Sequence, residues 1–484
     1  MRPRPLHVAL FLLTAGFLVA RLPVLPNRIF DPDEFEHAHA AWRMFEGQVP
    51  YKDFFEHHTP WYYYVLRPFF NWFPVDASFE AARHFLIAGR VLSFALTVLT
   101  AWLVYRIGRL WLDARTGLVA ALFFVAQPVV LQKTVEMRPD VLAVAFLVAG
   151  LMLLLRGLEQ GAAAAPPRLR WFVAAGLAVG AAVMSTQKIL FALPGLVIGL
   201  GIWAVFSEWK SGVARGRIVA VLTFGLAVCV PGVLTWAWFA LHHAGREFIA
   251  NNLLLNAGWK HFDTHQRERV VHTSRPILLL ALLGAALPLW RMFRLRERRD
   301  ADVVLLCTAV SLIAGLLIVP VAHRQYYLMP APIVCLFAAS AVFAVVDRAP
   351  ERLRPWIIGA AMIALALKPL SGLQDAYHEP NGEQLAKLRT VFERTQPSDV
   401  VMDGWEGLGV FRPHAFFYFF LHEEARAMLP PGRLAAFLDD LEAGRVQPKL
   451  IVLDKNLRAL GPRFLAFVAA HYASSDGLLF FRDR

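Results

Sequence analysis

The chain has 484 residues, 57% of them hydrophobic and only 18% charged, with a mean hydropathy of +0.48. Soluble domains carry about 25% charged residues, and several apolar runs here reach the roughly 20 residues that cross a bilayer, which excludes disordered, collagen-like and coiled-coil classes and sets aside a soluble enzyme. The net charge of +12 sits in short Arg/Lys clusters between apolar runs, so it reads as membrane orientation and not as nucleic-acid binding.

Eleven spans are predicted in chain order, at 7–26, 84–105, 116–131, 140–156, 171–185, 189–206, 218–240, 276–290, 302–320, 326–346 and 355–371. The first follows Arg2 and Arg4, but Pro23 and Pro26 stand where a signal peptide has small residues, so it reads as a retained anchor. Cys229, Cys307 and Cys335 all fall inside apolar stretches, which leaves no disulfide framework and no CxxC metal motif. The fold class expected is an α-helical polytopic membrane protein with a small C-terminal α/β domain.

Arginines fix the orientation. One set of loops holds Arg2 and Arg4, then Arg106, Arg109 and Arg115, then Arg156, Arg168 and Arg170, then Lys210, Arg215 and Arg217. Five arginines follow in Arg291–Arg299, then Arg348, Arg352 and Arg354. The intervening short loops hold only Lys133 and Arg138, Lys188, and Arg324. The positive-inside rule then places the N-terminus in the cytoplasm and the C-terminus outside, as for a bacterial inner-membrane protein. Three outer segments are long: 27–83, 241–275 and 372–484. Residues 1–371 read as the membrane domain and 372–484 as a separate extracytoplasmic domain. In the latter, Asn381 is expected to cap a helix bearing Leu385, Leu388 and Phe392, which Pro397 ends, and strands are expected at 399–403, 450–454 and 478–481.

The first outer loop carries most of the candidate chemistry. In Asp31-Pro32-Asp33-Glu34-Phe35-Glu36-His37, Asp31 suits an N-cap, Pro32 the first helical position and Glu34 a capping box. The helix buries Phe35, Ala38, Trp42 and Phe45 and stops at Gly47, lying along the membrane surface. Asp33 is not needed for the cap and shares a face with His37, which makes it the candidate general base. Next comes Phe55-Glu56-His57-His58-Thr59-Pro60, where Thr59-Pro60 starts a second helix; eight of residues 61–73 are aromatic, ordinarily an interfacial belt. Glu56, His57 and His58, with Asp33, Glu34, His37 and His39, form a candidate site for a divalent metal, which needs three or four converging ligands.

The second outer loop, Gln132–Asp140, packs four charges into nine residues, and Asp140 either favours the start of its helix or faces the first loop across a cavity. Lys188 and Arg324 lie at outer span ends, against the positive-inside trend, where a lipid phosphate is an obvious ligand. The fourth loop adds Arg246, Lys260, Arg267, Arg269 and Arg275 with five histidines.

This order of motifs resembles the GT-C glycosyltransferases, nearest the family-39-like enzymes that include protein O-mannosyltransferases and lipid A aminoarabinose transferases. The motifs are the acidic first loop, the Phe-Glu-His-His-Thr-Pro segment, the short acidic second loop, Lys188 and Arg324-Gln325-Tyr326-Tyr327-Leu328-Met329-Pro330, over residues 1–370. The resemblance implies transfer of a sugar from a polyprenyl-phosphate donor to a lipid, glycan or protein acceptor on the outer face. It makes Asp33 the acidic residue of the reaction centre, Glu34 its partner and Asp140 the second-loop carboxylate. It makes Glu56, His57, His58, Lys188, Arg324 and Tyr327 substrate contacts, with Lys188 and Arg324 at the donor phosphate. His57 and His58 stand where the aminoarabinose transferases have Lys before proline, so the metal and the sugar are left open. A polyprenyl phosphate needs no nucleotide, in keeping with the absence of GxxxxGK[ST] and GxGxxG. The alternative class is a transporter or lipid flippase, which ordinarily shows internal repeats and midplane charges that this sequence lacks.

Overall fold

The apolar runs are helical wherever the computed structural model describes them, which it does for residues 5–160, 167–205, 212–257, 265–295, 299–361, 374, 377–474 and 476–482. The first half comprises α1 (Pro5–Val19), α2 (Val24–Asn27), α3 (Pro32–Phe45), α4 (Trp61–Leu66), α5 (Phe79–Trp111), α6 (Ala114–Ala126), α7 (Pro128–Lys133), α8 (Pro139–Gln160) and α9 (Leu169–Ser185). It continues through α10 (Leu193–Val205), α11 (Gly212–Leu241), α12 (Gly245–Ile249), α13 (Leu255–Ala257), α14 (His265–Trp290), α15 (Asp300–Ile318), α16 (Ala331–Val346) and α17 (354–361). Among the described residues seven helical stretches are long and apolar enough to cross a membrane, and α6, α9 and α16 are shorter apolar helices. The rest of the last expected span, 362–371, lies outside the described residues.

The stretch expected as one span over 116–131 is two helices. Pro128 has no N–H to donate, and Gln127 before it is extended at φ −62° and ψ 133°. Arg21, fully buried, fills the break by donating to the Val125 carbonyl and, at 3.1 Å, to Thr134 Oγ1. Elsewhere the bundle closes through small residues. A Cβ at Gly176 or Gly180 of α9 would lie 2.5 Å from the Phe224 carbonyl or 2.4 Å from that of Val228 on α11.

Polar contacts sort the loops into two ends. Trp111 Nε1 donates to Asp302 at 2.6 Å, Arg291 pairs with Asp302 at 2.7 Å and Arg115 with Asp347 at 3.1 Å, which joins loops of the arginine-rich set. At the other end Arg28 meets Glu136 at 3.1 Å and Lys188 meets Asp140 at 3.0 Å.

The C-terminal segment holds α18 (Gly382–Arg394), β1 (Val401–Asp403), α19 (Glu423–Ala427), α20 (Arg433–Glu442), β2 (Leu450–Val452), α21 (Lys455–Arg458), α22 (Pro462–His471), β3 (Tyr472–Ala473) and β4 (Leu479–Arg482). The sheet order is β1-β2-β4-β3, with β1 and β2 parallel (Val401 opposite Leu450) and the other pairs antiparallel. Three strands fall where the sequence predicts them; β3, at two residues, is too short to show alternation. Asn381 does not cap α18 with its side chain. Its Nδ2 donates instead to the Pro26 carbonyl at 2.8 Å, tying this segment to the start of the first outer loop.

Two hydrophobic cores result. One lies among the spans and includes Val104, Phe124, Leu147, Leu196 and Leu336. The other is shared by the first outer loop and the C-terminal segment and joins Phe35, Tyr62 and Phe85 to Val401, Leu450 and Phe464. Three of the eight aromatics of 61–73 are therefore core residues and not part of a membrane belt. Tyr62, Tyr63 and Phe70 are buried in this second core, and of the eight only Trp72 is exposed.

Candidate active site

Helix α3 begins as its sequence dictates. Asp31 accepts from the Asp33 N–H at 3.2 Å while Glu34 Oε1 accepts from the Asp31 N–H at 2.9 Å, a complete capping box. Glu34 does more than close the cap. Arg90 of α5 grips it with two bonds of 2.7 and 2.8 Å, and the Met137 N–H donates to it at 2.9 Å. Arg90 spends its other donors on the carbonyls of Leu25, Arg28 and Ile29, so all five N–H groups are used. Both side chains are buried, and Glu34 thus sits in a structural clamp that pins residues 25–34 to α5.

Asp33 points elsewhere. Its Oδ2 lies 2.6 Å from Arg138 Nη1, and its carboxylate keeps 20% exposure. Arg138, only 2% exposed, also pairs with Asp31 at 2.9 Å and with Glu136. Lys133 bonds Asp31 at 3.0 Å and Glu136 at 2.9 Å, and Arg28 adds a contact to Glu136. Burial works against the charged forms of Asp31 and Glu136, but Arg138 and Lys133 outweigh it and hold both carboxyls below their ordinary range. The second loop's two cations, Lys133 and Arg138, are therefore the counter-charges of Asp31 and Asp33 in the first.

On the next side, Lys188 bonds Asp140 Oδ1 at 3.0 Å and lies 4.0 Å over the ring of Tyr326. His323 lies beside Tyr326, with ring centres 5.5 Å apart, and burial lowers its pKa. Arg324 turns toward Gln132, 3.3 Å away; burial and the neighbouring Arg269 lower its pKa. Tyr327 lies beside Arg267 on α14, so Tyr326 and not Tyr327 is the aromatic under Lys188. Asp33, Asp140 and Lys188 thus converge on one end of the bundle, with Arg324 at its edge.

Glu56, His57 and His58 form a tight turn. Glu56 Oε1 accepts from the backbone N–H of His57 and of His58 at 2.8 and 2.9 Å and meets His58 Nδ1 at 2.9 Å. The fourth member of this cluster is Glu36: ligand atoms of Glu36, Glu56, His57 and His58 all lie within 4.8 Å of one another. The other carboxylates and histidines expected here are engaged elsewhere, Asp33 on Arg138, Glu34 on Arg90, His37 with Tyr63 Oη at 3.4 Å and His39 on the Val410 carbonyl at 2.6 Å. Burial, with the Glu56 and Asp33 carboxylates adding to it, pushes Glu36 well up, while burial and the nearby His58 push His57 well down. Glu36 Oε1, Glu56 Oε2 and His57 Nδ1 are buried without a hydrogen-bond partner. Two carboxylates and two imidazoles with orphaned, converging atoms fit a divalent cation.

Glu36, Arg138, His323 and the C-terminal residues His422 and Glu424, 3.7 Å apart, are not singled out by the sequence. Arg138 had a signal in its charged loop and Glu36 in its place one turn from Asp33. His422 had none.

The fold is a bundle of apolar helices with an acidic first loop carried on short helices and a small α/β segment docked on that loop. Residues 58–236 match the family model described as dolichyl-phosphate-mannose-protein mannosyltransferase. Among solved structures the chain is similar to ArnT from Cupriavidus metallidurans bound to undecaprenyl phosphate, with 17% identity and a TM-score of 0.66 over 97% of both chains. It is also similar to the archaeal oligosaccharyltransferase AglB from Archaeoglobus fulgidus in complex with an inhibitory peptide and a dolichol-phosphate, with 13% identity and a TM-score of 0.59 over 99% of this chain and 74% of that one. No curated protein matches the chain.

Proposed function

We propose that the protein is an integral-membrane glycosyltransferase that moves a sugar from a polyprenyl-phosphate carrier to a hydroxyl of a lipid, glycan or protein acceptor on the extracytoplasmic face. The observation that carries the reading is Asp33, a partly exposed carboxylate fixed by Arg138 at the same end of the bundle as the Lys188–Asp140 pair. The likeness to structures holding undecaprenyl phosphate and a dolichol-phosphate supports the donor class. The arginine-rich loops, gathered at the opposite end, support a site outside the cytoplasm with the N-terminus inside.

In this reading Asp33 takes the proton of the acceptor hydroxyl. The oxygen attacks the anomeric carbon from the face opposite the phosphate, the carbon–oxygen bond to the phosphate breaks, and configuration inverts. Charge grows on the departing phosphate, where Lys188 and Arg324 stabilise it. Glu34 holds the loop through Arg90, and Arg138 orients Asp33. Glu36, Glu56, His57 and His58 would hold a divalent cation, which would supply positive charge beside the site. The test is transfer by the purified protein from a polyprenyl-phosphate-linked sugar with no nucleotide present. Robust activity with a nucleotide sugar and no lipid donor would overturn the reading.

A further inference from the structure

The C-terminal segment is docked on the first loop and on α3 beside Asp33. Hydrogen bonds between the two segments fix it there, among them Phe55 N–H to the Phe417 carbonyl at 2.9 Å, Asn381 N–H to the Asn27 carbonyl at 2.9 Å and Phe30 N–H to Gln384 Oε1 at 2.8 Å. The loop after β1 is held more tightly still. The Asp403 carboxylate accepts from the N–H groups of Glu406, Gly407 and Gly409 at 2.9, 3.2 and 3.1 Å. Gly407, at φ +79°, lies so close to α3 that a Cβ there would be 2.3 Å from Phe35 Cβ. Gly404 abuts Asp454 just as closely. This rigid turn presents Trp405.

Trp405 stacks on His422 with ring centres 4.9 Å apart, and His422 stacks in turn on Phe420 at 5.3 Å. Phe420 is next to His57, so the row of rings runs from the C-terminal segment to the carboxylate/histidine cluster. Glu424 Oε2 stands 3.7 Å from His422 Nε2. Trp405 Nε1 and His422 Nδ1 are buried and have no hydrogen-bond partner among the described residues. Trp405 also borders a cavity of about 30 Å³ between α3 and the C-terminal segment, room for a hydroxyl or two. Glu36, on α3 three residues after Asp33, and Phe420 line the same cavity as Trp405. An aromatic face flanked by a free N–H, a free imidazole nitrogen and a carboxylate suits a carbohydrate, whose C–H face stacks and whose hydroxyls bond.

We propose that Trp405, His422 and Glu424 form the acceptor subsite, holding a carbohydrate acceptor with one hydroxyl toward Asp33. The proposal rests on the glycosyl-transfer reading and adds the class of acceptor and the residues that select it. The subsite is preorganised, because the loop that bears Trp405 is fixed by backbone bonds and by close packing on α3.

The test uses the purified full-length protein with a polyprenyl-phosphate-linked sugar as donor, solubilised membranes of the source cell as the acceptor, and polyprenyl phosphate alone as the probe of donor binding. His422→Phe keeps the ring between Trp405 and Phe420, so it tests the polar contacts without opening the stack; Trp405→Ala tests the platform. Both are expected to raise the half-saturating amount of acceptor at least tenfold, with the rate at saturation within threefold and polyprenyl-phosphate affinity within twofold of wild type. The labelled product is expected to carry the new sugar on a glycan hydroxyl. An unchanged acceptor requirement in His422→Phe, an equal loss of polyprenyl-phosphate affinity, or a product labelled on a peptide side chain overturns the proposal and leaves the glycosyl-transfer reading standing. A wild-type protein that neither binds polyprenyl phosphate nor transfers sugar overturns both.

Discussion

Arg138 Nη1 lies 2.6 Å from Asp33 Oδ2, a contact between loops 105 residues apart in the chain. The same guanidinium serves Asp31 and Glu136, so it is the shared counter-ion of three carboxylates. Removing it would leave negative charge stranded in a largely buried place, which costs about 3–5 kcal/mol. Arg138→Ala is expected to lower the thermal midpoint of the purified protein sharply, and Arg138→Lys to recover part of the loss. A wild-type midpoint for Arg138→Ala would show that the network contributes no stability.

Glu34 and Asp33 are neighbours with different expected consequences. Glu34→Gln breaks a fully buried, two-bond pair with Arg90 and is expected to destabilise by about 3 kcal/mol or more, read as a fall in thermal midpoint. Any loss of transfer should then follow the loss of folded protein. If Glu34→Gln kept its midpoint and still lost all transfer, Glu34 would be a catalytic partner and not the clamp.

Acid should weaken the first outer loop. Burial opposes the charge on Asp31, but Arg138 and Lys133 outweigh it, so its folded pKa lies below the unfolded value of about 3.9. The contribution is therefore present above that value and is lost as pH falls below it toward the folded one. Asn caps a helix as well as Asp does, so Asp31→Asn isolates the charge. With Asp31 partly exposed, the expected cost at pH 7 is about 1 kcal/mol, shrinking below pH 4. A cost that did not change with pH would place the effect in the cap.

The carboxylate/histidine cluster makes its own prediction. Chelation followed by removal of the chelator should lower the thermal midpoint, and a divalent ion should restore it. Glu56→Gln, which keeps an acceptor oxygen for the turn but removes the charge, should abolish the response to metal. A demonstrably metal-free protein with full stability and activity would confine these residues to holding the turn.

The membrane spans and the capping box at Asp31–Glu34 were legible because periodicity, proline position and charge asymmetry are local signals. Pro128 was equally visible, yet its effect on the 116–131 span depends on a partner, Arg21, that satisfies the broken helix from another element. The aromatic run at 61–73 misleads for a related reason. An exposed belt and a buried core have the same composition, and only the docked C-terminal segment decides that Tyr62 and Tyr63 are interior. In the site, Asp33 stands out by its position outside the cap. Glu34 looked like its chemical partner because nothing local reveals Arg90, 56 residues on. Tyr326 and Tyr327 are indistinguishable in sequence, and the phase of one short 3₁₀ turn decides which lies under Lys188.

Single-turnover transfer from a polyprenyl-phosphate-linked sugar, by wild type and by Asp33→Asn at equal amounts of folded protein, tests the central claim most directly. Loss of a general base costs about 10²–10⁴ in rate. The account predicts a loss of at least a hundredfold in Asp33→Asn, with polyprenyl-phosphate binding and thermal midpoint close to wild type. Wild-type turnover by folded Asp33→Asn would contradict it.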